Sequence, residues 1–160
     1  MLETLLRPGQ SANDLPKHEA GGVGSGSLCQ IGVNGQLYHG AQYLPFAPNG
    51  INWIAQNGLD VLSYNFTGCI MAVFDHEGTR KVAHISTGPS QDCKIAWDEL
   101  KKSCSNVLEF RPSDFVDNQG KTFVGCYGLI TSDLQTYAIT TVQDRGQYVI
   151  SSIKMAHLLR

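Results

Sequence analysis

Two short apolar runs with a polar turn between them constrain the fold of this chain more than any other feature. The first run covers residues 69–74, and the second, residues 81–85, is apolar except for Lys81 and His84; between them lie a turn of Asp, His, Glu and Gly at residues 75–78 and then Thr79 and Arg80. Apolar runs of this length that are bounded by turn residues are typical of β-strands joined in a hairpin. The pattern therefore predicts an antiparallel pair of strands near the middle of the chain, the first of them buried.

The pattern on either side predicts an α+β domain that is rich in antiparallel strands. Along residues 92–103 the spacing of Cys93, Trp97 and Leu100 follows one face of a helix. Strands are predicted over residues 31–38, 107–111, 122–131, 135–142 and 147–154, whereas residues 51–57 are expected to form a short helix or an irregular segment. We expect one or two helices to pack on the strands.

Length and charge limit the domain organisation and the partners. The chain has 160 residues and a formal net charge of −2, which suits one domain without a basic face for nucleic acid. Residues 21–27 have the Gly/Ser composition of a linker, so we expect a flexible N-terminal segment over residues 1–30 and a single catalytic domain over residues 31–160. No apolar run is long enough for a membrane span, and the start of the sequence does not have the pattern of a cleavable signal peptide.

The five cysteines of the chain raise the question of which thiol is chemically active. Cys29, Cys69, Cys93, Cys104 and Cys126 contain no Cys-x-x-Cys pair, which argues against a zinc ribbon and against a thioredoxin-type motif. We therefore expect no metal and no cofactor. Cys93 and Cys104 share the apolar face of the predicted helix and are expected to be packed, while Cys126 is the strongest rival of Cys69 as a nucleophile.

The predicted hairpin brings Cys69 close to a histidine. A two-residue loop at residues 76 and 77 would pair Asp75 with Gly78 and place Cys69 directly opposite His84. The Cβ atoms of directly opposed residues lie ~4.5–5.5 Å apart on the same face. This arrangement suits nucleophilic catalysis, because an imidazolium lowers the pKa of a neighbouring thiol and can later protonate the leaving amine.

The same chemistry needs donors for a developing oxyanion and a group that orients the histidine. Candidate donors are the backbone N–H of Cys69 and the hydroxyls of Ser63 and Thr67. A backbone carbonyl could orient His84, as could a side chain such as Asn65, Gln91 or Asp133. The alternative is a non-catalytic binding module in which Cys69 is a packed core thiol, since cysteine is among the most buried residue types.

The segment from Ser63 to Pro89 resembles the catalytic core of the bacterial toxin glutamine deamidases, namely the cytotoxic necrotizing factor catalytic domain and the Burkholderia lethal factor. The similarity rests on Phe66-Thr67-Gly68-Cys69, the apolar strand and turn that follow, and Val82-Ala83-His84-Ile85. Phe66-Thr67 stands where the family has Leu-Ser, and Ser63 stands where the lethal factor has a catalytic threonine. The chemoreceptor deamidase CheD shows a more distant similarity.

The resemblance implies a β-sandwich flanked by helices, with the cysteine and the histidine on adjacent strands. It also implies a cysteine-dependent protein glutamine deamidase in which Cys69 attacks a side-chain carboxamide, His84 transfers the proton, and water hydrolyses the thioester. An amine that accepts the thioester would give transglutamination as a side reaction. A papain-like cysteine protease or amidase is the alternative enzyme, because it shares this mechanism.

The resemblance further implies a bacterial effector or toxin domain. Its substrate would be a glutamine on a host protein, such as a Rho-family GTPase or a translation factor. Such a domain would reach the target-cell cytosol without a cleavable signal peptide, as part of a larger secreted protein or held by a cognate inhibitor. Without such delivery, the chain would be cytoplasmic.

Overall fold

A computed structural model describes residues 1–20, 24–25, 31–33, 35–88 and 91–159. The helices within these residues are α1 (Leu2–Leu5) and α2 (Asp92–Lys101), and a 3-10 turn covers Pro112–Phe115. The strands are β1 (Gly24–Ser25), β2 (Ile31–Val33), β3 (Gln36–Tyr38), β4 (Ala41–Pro45), β5 (Ile51–Ala55), β6 (Asp60–Tyr64), β7 (Ile70–His76), β8 (Thr79–Ile85), β9 (Ser105–Phe110), β10 (Thr122–Ile130), β11 (Thr136–Asp144) and β12 (Gln147–Met155). The predicted α+β class is confirmed. Cys29 lies outside the described residues.

Most of the strands belong to two five-stranded sheets. Sheet I has the order β12-β11-β10-β6-β4, and its neighbours are antiparallel except for the parallel pair β4–β6. Sheet II has the order β1-β5-β8-β7-β9, and its neighbours are antiparallel except for the parallel pair β1–β5. The hairpin β7–β8 therefore lies inside sheet II, with a further strand on each side.

Three clusters of buried apolar side chains hold these elements together. One cluster draws Met71 and Val73 from sheet II and Cys126 and Ala138 from sheet I. A second cluster joins the opposite face of sheet II to α2 through the fully buried Trp97. Since both faces of sheet II are covered, β7 is apolar at successive positions, which is why the sequence there shows a continuous run.

The first residues of the chain cover the other face of sheet I. The side chains that they bury belong to one apolar cluster with β6 and β10–β12 and are Leu2, Leu6, Ala12 and Leu15. The backbone N–H of Gly9 donates to the carbonyl oxygen of Ile150 at 2.7 Å, and Ala12 donates to Tyr148 at 3.0 Å. The flexible segment expected over residues 1–30 thus does not describe residues 2–15, because their apolar side chains gain more by packing on the sheet than by remaining in water.

The loop of the central hairpin lies one residue later than the sequence suggested. Its two residues are Glu77 and Gly78, and His76 pairs with Thr79. Both loop residues have positive φ angles, 52° and 78°. The favoured two-residue hairpin loop requires positive φ at both positions, and glycine adopts it at the least cost. The glycine therefore belongs inside the loop rather than after it.

This loop shifts the register of the hairpin by two positions. His84 lies directly opposite Met71, so the prediction that it lies opposite Cys69 is wrong. Side chains alternate between the faces of a strand with a period of two, so a shift of two positions preserves the face. Cys69, just before the first residue of β7, belongs to the same buried cluster as Met71. Cys69 therefore comes two residues before Met71, the direct partner of His84, and on the same face of the hairpin.

The short helix or irregular segment expected over residues 51–57 is also wrong, since β5 occupies most of it. Along β5 the side chains of Asn52 and Ile54 are buried, while Ile51, Trp53 and Ala55 are partly exposed. This alternation is the period of a strand.

No helix among the described residues has both the length and the apolar character that a membrane crossing needs.

Candidate active site

A hydrogen bond between Ser63 and His84 crosses from one sheet to the other. His84 lies in β8, the central strand of sheet II, and Ser63 lies in β6 of sheet I. The Oγ atom of Ser63 is 2.8 Å from Nδ1 of His84 and 2.6 Å from the carbonyl oxygen of Leu44. Leu44 is close because it pairs with Ser63 in the parallel β4–β6 ladder. Both residues of the contact are buried.

This chain of contacts determines which ring nitrogen of His84 carries the proton. A carbonyl oxygen only accepts, so the single hydroxyl proton of Ser63 must point to Leu44. Ser63 then accepts a hydrogen bond from His84, and Nδ1 must be the protonated nitrogen. The other nitrogen, Nε2, is left with a free lone pair. The geometry therefore assigns His84 the tautomer in which Nε2 can accept a proton.

The imidazole is neutral and enclosed. Phe66 stacks on it with a centroid distance of 3.9 Å and an interplanar angle of 12°, and Phe46 packs at 5.0 Å. Burial lowers the pKa of His84 to about 3, because the charged form would lose its hydration. Nε2 is buried and has no hydrogen-bond partner among the described residues. His84 is thus a neutral base whose free nitrogen is shielded from water.

Cys69 follows a tight turn and is almost buried, with 9 % of its surface exposed. Burial raises the pKa of the Cys69 thiol, and this effect outweighs the backbone N–H groups of Thr87 and Thr67 and the positive charge of Arg111, which all lower it. The sequence predicted a charged imidazolium at His84 that would lower the pKa of the thiol. His84 is instead neutral, because burial lowers its pKa. In this structure both groups are uncharged.

The turn before Cys69 is held by two side chains. Gly68 has a φ of +124°, which L side chains rarely adopt. Its carbonyl oxygen accepts hydrogen bonds from Oγ1 of Thr87 at 2.7 Å and from Nε of Arg111 at 3.1 Å. The side chain of Thr67, whose hydroxyl was considered as an oxyanion donor, is exposed, and the contact of Thr67 with the thiol is made by its backbone N–H.

Sequence reasoning singled out neither Thr87 nor Arg111. Thr87 follows the end of β8, and Arg111 follows β9, whose last residue Phe110 lies opposite Met71. The pairing of β7 with β9 brings Arg111 to the Gly68 turn, and this long-range pairing could not be predicted from the local sequence pattern. The only signal was a cationic residue directly after an apolar strand.

The structure gives other roles to the groups considered for orienting His84. The Oδ1 atom of Asn65 accepts from the backbone N–H of Cys126, and Asp133 accepts from Thr131. Gln91 is exposed at the start of α2. Ser63, expected as an oxyanion donor, is instead the residue that contacts the imidazole.

The other described thiols are less suited to nucleophilic attack. Cys126 is fully buried, and burial raises its pKa to about 12. Cys93 and Cys104 are half-buried on or just after α2, and burial raises the pKa of each. Cys69 is therefore the described cysteine that the surroundings favour most.

Cys69 and His84 lie away from an open groove on sheet I. That groove has a volume of about 770 Å³ and lies along β11 and β12, beside Lys121 and Lys154; its lining does not include Cys69 or His84. Among the described residues, no group of three or more His, Cys, Asp or Glu side chains could hold a metal ion.

Comparison with protein-family models, with curated proteins and with solved structures returned no match for this chain.

Proposed function

We propose that this chain is a cysteine-dependent protein glutamine deamidase. One observation carries the proposal: the Leu44–Ser63–His84 chain of hydrogen bonds leaves Nε2 of a buried, neutral histidine free on the sheet face shared with Cys69. A general base needs an unprotonated nitrogen and a fixed ring. The orienting hydroxyl comes from Ser63, the position at which the lethal factor has its catalytic threonine.

The proposed reaction proceeds in two steps. Cys69 Sγ attacks the carbon of a glutamine carboxamide, a C–S bond forms, and His84 Nε2 accepts the thiol proton. The C–N bond then breaks as His84 returns that proton to the nitrogen, and ammonia leaves. In the second step water attacks the thioester and gives a proton to His84; the C–S bond breaks, His84 returns that proton to Cys69 Sγ, and glutamate is left.

The pair must approach before it reacts. His84 pairs with Met71, two residues after Cys69, and continuing that register would make Cys69 and His84 a diagonal pair, for which backbone positions lie roughly 7–8 Å apart. Catalytic hydrogen bonds are often long in unliganded enzymes and shorten when substrate binds. A thiolate at Cys69 would also attract a proton to His84 and raise its pKa. Substrate entry is thus the step that couples the two groups.

The wider assignment follows the resemblance of residues 63–89. It includes a sandwich-like stacking of the two sheets, a host protein as substrate and delivery to the target-cell cytosol as an effector or toxin domain. A papain-like protease is the nearest alternative, and cleavage of the substrate backbone would identify it. A binding module with a packed Cys69 is favoured by one observation, the raised pKa of the thiol.

The test is an intact-mass measurement of a candidate substrate. A purified Rho-family GTPase and a purified translation factor are each incubated with the protein, and ammonia release is followed in parallel. We expect one substrate to gain the mass difference between an amide and an acid, at a glutamine that peptide mapping identifies. The gain should vanish with Cys69→Ser and fall strongly with Ser63→Ala.

Cys104→Ser is the matched control, because it removes a half-buried thiol that packs with α2 on the opposite face of sheet II. It should retain full activity. Mass gain that survives Cys69→Ser would eliminate Cys69 as the nucleophile. In a second measurement, iodoacetamide labelling of the native protein compares the cysteines directly. A Cys69 that alkylates no faster than Cys126 would favour the binding module.

A further inference from the structure

The peptide bond between Gly68 and Cys69 is held more firmly than its neighbours. The carbonyl oxygen of Gly68 accepts two hydrogen bonds from side chains on different elements, one from Thr87 and one from Arg111. A carbonyl oxygen has two lone pairs, so its acceptor capacity is filled. Rotation of this peptide would break both contacts at once and leave polar groups unpaired.

The direction of this carbonyl also sets the direction of the Cys69 N–H. In a planar trans peptide the C=O and N–H bonds point to opposite sides. With the oxygen turned toward Thr87 and Arg111, the N–H of Cys69 points away from both. It donates no hydrogen bond to another residue within the described ranges. A free, oriented donor therefore lies on the same residue as the thiol.

We propose that Thr87 and Arg111 are positioning residues that aim the Cys69 N–H at the oxyanion formed during attack by the Cys69 thiol. This inference rests on the proposed cysteine hydrolase and adds to it the residues that build the oxyanion site. When Sγ attacks a carbonyl carbon, the C=O electron pair moves to the oxygen, and the Cys69 N–H stabilises that charge. The oxygen loses the charge when the leaving group departs.

The other donors near Cys69 have a separate task. The backbone N–H groups of Thr87 and Thr67 interact with the sulfur and favour the thiolate. The side chain of Thr87 acts on the neighbouring carbonyl instead. A reaction that needs the thiolate but forms no oxyanion should therefore be insensitive to the Thr87 hydroxyl. A reaction that passes through a tetrahedral oxyanion should depend on it.

Two reagents separate these reactions. Iodoacetamide alkylates a thiolate by direct displacement of iodide, whereas p-nitrophenyl acetate acetylates it through a tetrahedral oxyanion and releases p-nitrophenolate. Both rates are measured at Cys69 by peptide mapping in the full chain and in two variants. Thr87→Val removes the hydroxyl and keeps the shape, and Thr87→Ser is the matched control that keeps the hydroxyl.

We expect Thr87→Val to slow acetylation of Cys69 roughly tenfold or more while alkylation changes less than about twofold, since one misplaced oxyanion donor costs at least this much. Thr87→Ser should behave as the unmodified chain. Arg111→Gln in the Thr87→Val background should slow acetylation further, and the alkylation rate reports any loss of the positive charge at the thiol.

The outcomes distinguish this inference from the proposed function. A native protein whose Cys69 is never acetylated overturns both. Acetylation that is lost in Cys69→Ala but unchanged in Thr87→Val leaves the hydrolase intact and overturns the positioning role. A parallel fall of both rates in Thr87→Val also overturns it, because the hydroxyl would then act on the thiol itself.

Discussion

The buried, neutral His84 should make the protein sensitive to acid, and glutamine at this position should reduce that sensitivity. In the folded protein the pKa of His84 is about 3, whereas an unfolded chain gives histidine a pKa of about 6.5. Below that upper value the unfolded state binds a proton that the folded state does not. As the pH is lowered between these two pKa values, the free energy of unfolding therefore decreases by about 1.4 kcal/mol for each pH unit.

Between about pH 6.5 and about pH 4.5 this effect removes about 2–3 kcal/mol, a large part of the roughly 5–15 kcal/mol that is typical of a domain. The loss would reach about 4–5 kcal/mol if the chain stayed folded down to the pKa of His84. The sign follows from the lowered pKa of His84 in the folded protein. This contribution to stability is complete above the pKa of histidine in the unfolded chain, and it is lost as the pH falls toward the pKa of His84 in the folded protein.

The assay is urea unfolding of the unmodified chain and of His84→Gln at about pH 7 and about pH 4.5. The glutamine amide can still donate to Ser63 Oγ but does not titrate in this range. Carboxylates contribute equally to both proteins, so the difference between their pH dependences isolates His84. Identical pH dependences in the two proteins would refute the reasoning, since they would mean that His84 gains its proton equally well in the folded state.

Four further predictions concern the turn, the thiols and the packing. Gly68→Ala should lower the free energy of unfolding by about 1–3 kcal/mol because of the positive φ, and an unchanged urea midpoint would contradict it. Cys126 should resist iodoacetamide until the protein unfolds, as mass mapping would show; labelling of the native state argues against its burial. Alkylation of Cys69 should keep accelerating above neutral pH, because its pKa is raised; a plateau below neutral pH would show an ion pair instead. Trp97→Ala should cost about 3–5 kcal/mol, and a loss below this range would show that α2 is loosely attached.

The hairpin illustrates which part of the fold can be predicted from the sequence. Short apolar runs and a polar turn predicted β7 and β8, similar strand-like runs predicted β9 to β12, and the helical spacing of apolar residues predicted α2. The register was missed because two registers that differ by two positions bury the same face. Only turn stereochemistry separates them, and the decisive residue is Gly78 in the second loop position, where a positive φ is required.

The residues proposed for the candidate site could be chosen from the sequence, whereas their contacts could not. Ser63, Cys69 and His84 are local features of one segment, so the sequence could single them out. Their roles depend on long-range pairing: β4 beside β6 brings the Leu44 carbonyl to Ser63, and β9 beside β7 brings Arg111 to the Gly68 turn. Burial likewise reversed the expected electrostatics, because desolvation keeps both the thiol and the imidazole neutral.

The start of the chain has a consequence beyond the stability that its packing adds. Strand β12 is an outer strand of sheet I, and residues 9–12 occupy the outward hydrogen-bonding groups of Tyr148 and Ile150. An uncovered outer strand is a template on which another chain can add its own strand. Because residues 9–12 cover the outer edge of β12, we expect them to prevent a second copy of the chain from pairing with that strand. A chain without them should aggregate through β12, and its first symptom should be concentration-dependent light scattering in otherwise native buffer.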